Sequence, residues 1–205
     1  MTLIGNTKGL FMNIVTLAGS PGASSRSTAM LDYVKHSLVH TGATVSSFRL
    51  DDFDANTLVQ GRWNDPTIVE LRQAVATADA LVIATPVYQA SFSGGLKLML
   101  DVLPQGALKH KTVLSLAAGG SDQHLLVLDY ALKPVLSSLG AYHQLAGIYA
   151  CPFHIEKDED GEYRLGKEIR GRLDLAITEL SEVLSVHTSQ DHSVHRQNKG
   201  NLALV

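Results

Sequence analysis

From position 19 to 27 the chain reads Gly-Ser-Pro-Gly-Ala-Ser-Ser-Arg-Ser, a run dense in hydroxyls and backbone N–H groups with one permanent cation, Arg26. Residues of these types suit an anion. Small side chains let the backbone come close, a helix start adds the positive end of its dipole, and a guanidinium offers a two-pronged donor. Spacing narrows the choice. A P-loop needs a lysine after its last glycine and a dinucleotide fingerprint needs G-x-G-x-x-G, and this run has neither. What remains is a cradle for a single terminal phosphate, or a strand–helix turn of small residues that binds nothing.

Two further segments have a similar look. The first begins Pro86-Val87-Tyr88 and runs on as QASFSG; the second is Ala117-Ala118-Gly119-Gly120-Ser121. Pro86 fixes its own backbone angle, so the N–H groups of Val87 and Tyr88 can meet the polar edge of a flat ring, and Tyr88 can flank that ring. Gly119 and Gly120 leave room for a ring to lie on bare backbone. Singly, Tyr88 is also readable as a surface tyrosine and the glycines as a turn. Together, at one edge of one sheet, the three loops point to a ligand.

Hydrophobic periodicity gives the elements that would bring the loops together. Ile14, Val15 and Leu17 form the first strand. Residues 43–50 alternate as a second, 78–85 are apolar throughout as a central third, and 111–118 and 141–150 supply the fourth and fifth. Helices are expected from near Ser25 to Gly42, from Asp65 (N-cap) and Pro66 onward, from near residue 93, over 122–139 and over 168–186. Residues 51–64 read as an irregular connection whose Trp63 either covers a ligand or, the favoured reading, packs on the helix that follows, and Asp160-Gly161 as a turn. Strands alternating with helices predict an α/β fold, a doubly wound five-stranded parallel sheet of order 2-1-3-4-5 with helices on both faces. In that order the three loops fall at the carboxyl ends of strands 1, 3 and 4, beside the topological switch point.

Composition sets bounds. The 205 residues, 45% apolar and 18% charged, fit one globular domain. A net charge of −3 argues against nucleic acid as the main partner. Cys151 is the single cysteine, so no internal disulfide forms and a reducing, cytoplasmic setting is expected. The thiol follows an apolar run and reads as packed rather than reactive. No apolar run is long enough to cross a membrane, and the N-terminus lacks the features of a signal peptide. The expected organisation is an extension over 1–12, one domain over 13–186, and a polar, disordered tail over 187–205. His187, His192 and His195 in that tail lack companions, so no metal site is expected.

The motifs GSPxxxSRS, TPVYxxxxSGxLK and AxGGxxxHLLxxDYALKPVL resemble those of the NADPH-dependent FMN reductases of the flavodoxin-like superfamily. The stretch 124–136, HLLVLDYALKPVL, resembles more narrowly the FMN reductases that serve alkanesulfonate monooxygenases. Phe92 stands where many relatives carry tyrosine. The resemblance implies that Ser20, Ser25, Arg26 and Ser27 hold the phosphate of FMN. It implies that Pro86, Val87 and Tyr88 line the isoalloxazine, and that Gly119, Gly120 and Ser121 border the ring near the nicotinamide of NADPH. Hydride transfer from nicotinamide C4 to flavin N5 needs the rings stacked at about 3–3.5 Å, so positioning does most of the work and no catalytic acid or base is nominated. Asp122 and His124 either deliver a proton or bind the NADPH phosphate or, the favoured reading, Asp122 caps a helix and His124 lies on the surface.

The segment 122–139 carries apolar residues on more than one helical face, and Pro134 deletes a hydrogen bond inside it. A kink or π-type bulge around 129–134 is expected, with Tyr130 entering a neighbouring subunit of a homodimer or homotetramer. The favoured function is reduction of FMN to FMNH2 for a partner monooxygenase of organosulfonate desulfonation. The alternatives are an FMN-retaining reductase of quinones, azo dyes or metal oxyanions, an electron carrier, and a flavin-binding scaffold. Carriers are strongly acidic, whereas the isoelectric point here is about 6.3.

Overall fold

The computed structural model describes residues 12–200, with side chains as far as residue 186. In chain order the elements are β1 (Asn13–Ala18), α1 (Arg26–His40), β2 (Thr44–Arg49), α2 (Ala55–Gln60), α3 (Pro66–Thr77), β3 (Ala80–Tyr88), β4 (Ser91–Phe92) and α4 (Gly94–Asp101). There follow β5 (Thr112–Ala118), α5 (Lys133–Ser138), β6 (His143–Gln144), β7 (Ile148–Ala150), β8 (Ile155–Lys157), β9 (Tyr163–Leu165) and α6 (Lys167–Gly200).

Side chains that alternate along buried strands build two cores. Leu81 and Ile83 of β3 pack with Ile68 and Leu71 of α3 and with Leu96 and Met99 of α4. Ala80 and Val82 face the other way, onto Met30 and Val34 of α1 and Ile169, Leu173 and Leu180 of α6. The sheet runs β2-β1-β3-β5, with every pair in this series parallel. This is the flavodoxin-like α/β architecture. It has seven strands rather than the expected five. The fifth strand is broken into β6 and β7, both parallel to β5. Between them a Cβ on Gly147 would meet Leu128 Cδ1 at 2.9 Å and the Ser115 carbonyl at 3.3 Å, so a side chain has no room there. The seventh strand is the two-residue β4, antiparallel to the end of β3.

Local chemistry explains the helix ends. Asp65 accepts the Thr67 N–H at 2.9 Å and Pro66 opens α3. The expected irregular connection over 51–64 instead holds α2, capped by Asp54 on the Thr57 N–H at 2.9 Å and stopped by Gly61 at φ +60°. Trp63 lies under the Arg72 guanidinium of α3, 5.0 Å from ring centroid to Cζ. The expected long helix over 122–139 is three pieces, a 3₁₀ turn over Asp122–His124, a π segment over Leu128–Leu132, and α5. In the π segment the Lys133 N–H donates to the Leu128 carbonyl, five residues back, next to Pro134, which has no N–H to continue an α ladder. Helix α6 continues to Gly200, past the predicted end at residue 186 and into the segment expected to be a disordered tail. Residues 1–11 and 201–205 of the expected extension and tail lie outside the described residues.

Candidate functional site

The three loops meet because β1, β3 and β5 end at one edge in matched register: Ala18 pairs with Ala84, and Pro86 with Ala118. Ser93 then locks the first loop to the second. Its hydroxyl donates to the Gly19 carbonyl and accepts the Leu96 N–H at 3.1 Å, capping α4, while its own N–H donates to Thr85 Oγ1 at 3.0 Å. No side chain fits at Gly19, where a Cβ would lie 2.5 Å from that of Leu96. Arg49, at the end of β2, steadies the outer edge of the first loop by donating from Nη2 to the Ala23 carbonyl at 2.5 Å.

The meeting point is a cleft of about 320 Å³, lined by Ser20, Gly22, Ser24, Ser25, Arg26, Ser27, Pro86, Val87, Tyr88, Ala118, Gly119, Gly120 and Tyr163. Its two ends differ in chemistry. At one, Ser25 caps α1, accepting the Thr28 N–H at 3.0 Å, and its hydroxyl touches those of Ser27 at 3.0 Å and Thr28 at 2.8 Å. The helix ladder leaves the first-turn N–H groups of Arg26 and Ser27 unpaired, as at any α-helix start. Ser20 is only 6% exposed, and its hydroxyl has no partner among the described residues. Hydroxyls that open on the cleft with hydrogen-bonding capacity to spare suit an oxygen-rich anion at this end.

The other end is nearly bare backbone. A Cβ on Gly120 would meet nothing within 4 Å, so a flat group has room against it. Gly119 behaves otherwise: a Cβ there would fall 2.0 Å from Tyr149 Oη. The Tyr149 phenol donates to the Ser121 carbonyl at 2.5 Å. Burial first, then the neighbouring Cys151 and Asp122, push its pKa up to about 12, so it stays a donor. Pro86 is buried, Val87 half-buried and Tyr88 exposed at the rim, on a two-residue turn in which Gln89 and Ala90 both take positive φ, 47° and 60°.

Of the ten residues expected at the site, Ser121 alone does not line the cleft; its carbonyl is turned to Tyr149. Asp122 and His124 also lie off it. Asp122 is not the cap of its turn: Ser121 occupies that position and makes no side-chain cap bond. Cys151 is buried, and burial raises its thiol pKa, with Asp122 adding to the effect, which disfavours a reactive thiolate. Sequence reasoning missed Gly22, Ser24, Ala118 and Tyr163 on the lining and Ser93 and Arg49 behind it. The Asp160-Gly161 turn marked the β8–β9 hairpin that carries Tyr163, but nothing local says that this hairpin folds back onto the α1 start.

The family described as NADPH-dependent FMN reductase matches residues 12–155. An FMN reductase (NADPH) of Pseudomonas putida is 48% identical over 68% of this chain and 71% of its own length. The NADH-dependent FMN reductase SfnE of Pseudomonas putida is 32% identical over 86% of this chain and 94% of its own. Among solved structures, the apo form of the NADH:FMN oxidoreductase EMOB superposes with a TM-score of 0.72 at 33% identity, covering 82% of this chain and 87% of that one.

Proposed function

Since the chain belongs to the NADPH-dependent FMN reductase family, named for its use of FMN and NADPH, we propose that it reduces free FMN and hands FMNH2 to a flavin-dependent monooxygenase. The observation that carries the reading is the polarity of the cleft, with hydroxyls and a guanidinium at one end and bare backbone at the other. Ser20, Ser25, Arg26 and Ser27 would hold the phosphate. Pro86, Val87 and Tyr88 would line the ring from one strand end, and Gly119 and Gly120 from the next. Ser121 would act only through its carbonyl, by holding Tyr149. Bound there, FMN would supply a hydride acceptor at N5 for NAD(P)H and, with one proton taken from solvent, would leave as FMNH2. The protein's share is to bind, orient and exclude water, and no side chain is assigned as acid or base.

Resemblance in 124–136 supports an alkanesulfonate-type monooxygenase as the acceptor. We assign the reductase domain to residues 13–186. We also place a homodimer or homotetramer contact at 122–139, where Tyr130 is 78% exposed and Leu125 and Leu126 are half-exposed. A cytoplasmic setting agrees with the single cysteine. Among the described residues no helix is long and apolar enough to cross a membrane.

Desalted protein tests the reading when FMN is titrated while NADPH oxidation is followed. Colourless protein whose rate saturates with added FMN is the expected result. Yellow protein that ignores added FMN and turns over quinone would replace this reading with that of an FMN-retaining reductase.

A further inference from the structure

We propose that the β8–β9 hairpin is a clamp that positions the anion-binding arginine, with Tyr163 as the positioning residue. The proposal rests on reading the Ser20–Arg26 end of the cleft as the FMN phosphate site. Arg26 has a long side chain, and left free it would lose several rotors on binding an anion. It is not left free. Its Nε donates to the Ile155 carbonyl at 2.9 Å, and its guanidinium carbon sits 5.3 Å from the centroid of the Tyr163 ring. With Nε taken and one guanidinium face on the phenol ring, the plane is fixed, and the two terminal nitrogens have no partner among the described residues. Among the described residues no carboxylate pairs with Arg26 either, which leaves its charge to a ligand.

The clamp is itself anchored. Ile155 is fully buried in the core beside α1 and α6 and pairs with Leu165 across the hairpin. At the turn, Asp158 accepts the Glu162 N–H at 2.8 Å and the Arg164 Nε at 2.6 Å. Lys157 Nζ also lies 5.6 Å from the Tyr163 ring centroid, so the phenol has two cations near it. Tyr163 thus holds Arg26 in the pose a phosphate would meet, and the order is built before the ligand arrives. The hairpin beyond Ile155 lies outside the family match.

The test is equilibrium binding by flavin fluorescence quenching, comparing FMN with riboflavin, which lacks the phosphate. Tyr163→Ala is expected to weaken FMN binding about tenfold and leave riboflavin within about twofold. Tyr163→Phe, which keeps the ring, is expected to bind FMN like the parent protein. In an Arg26→Ala background, Tyr163→Ala is expected to cost nothing further. Three outcomes overturn the clamp: equal loss for both flavins, equal loss in Tyr163→Phe and Tyr163→Ala, or loss of phosphate preference in Arg26→Ala with none in Tyr163→Ala. If neither Arg26→Ala nor Tyr163→Ala alters the preference, the phosphate assignment of this end fails and the clamp with it.

Discussion

Gly119 and Gly120 are neighbours with opposite jobs. A methyl at Gly119 would run into Tyr149 Oη, whereas one at Gly120 would enter open space on the cleft side. Gly119→Ala is therefore expected to destabilise the fold by about 1–3 kcal/mol, the usual cost of overpacking. Gly120→Leu is expected to leave the thermal midpoint unchanged and to weaken FMN binding on the order of tenfold. Thermal melts paired with flavin titrations separate the two effects. Tyr149 makes a second prediction. Its folded pKa of about 12 lies above the ordinary 10.0, so the protonated phenol contributes its full stability below pH 10 and loses it as pH rises from 10 to about 12. Urea unfolding is expected to show that decline, and Tyr149→Phe to reduce it. The small residues of the cleft were readable because the property that matters, lack of a side chain or presence of a hydroxyl, belongs to the residue itself. The role of the Ser121 carbonyl had no local signature, because its partner Tyr149 lies 28 positions away in sequence.

The turn between β3 and β4 is an element under local strain. Gln89 and Ala90 both lie in the left-handed region, which disfavours residues with a Cβ and which two-residue hairpins normally fill with Asn-Gly. Ala90→Gly is expected to raise stability by about 1 kcal/mol in chemical denaturation. Because this turn carries Tyr88 at the rim, the same change shows whether a relaxed turn alters FMN affinity. Elements were legible where a long periodic pattern or a cap announced them, as with β3, and with α3 behind Asp65-Pro66. They were lost where they are short or tertiary contact decides. Helix α2 has only six residues, too few for periodicity to show, although Asp54 and Gly61 marked its ends. The apolar run 141–150 reads as one strand, whereas its pairing with β5 is interrupted between Gln144 and Ile148. The π segment was foreseen from Pro134; the break before it, at residues 125 and 126, was not.

Across the whole molecule, two helical layers bury both faces of the sheet and leave its carboxyl edge for chemistry. Leu125, Leu126 and Tyr130 are exposed on the π segment and the residues before it, the surface proposed above for self-association. Sizing with light scattering at micromolar concentration is expected to give a dimer or tetramer, and a monomer would remove that assignment. The loops and the sheet order were readable together because strand ends are local while the switch point follows from order alone. The ties that hold the loops in place, Ser93 to Gly19 and Arg26 to Ile155, span 74 and 129 positions and have no local signature. The most direct measurement of the site is a crystal structure with FMN bound. The expected result places the phosphate within hydrogen-bond distance of Arg26 and the Ser20, Ser25 and Ser27 cluster, with the ring between the Pro86–Tyr88 strand end and Gly120. A phosphate seated instead in the adjoining hollow beside Asp32 and Glu162, or a ring lying away from Gly120, would contradict it.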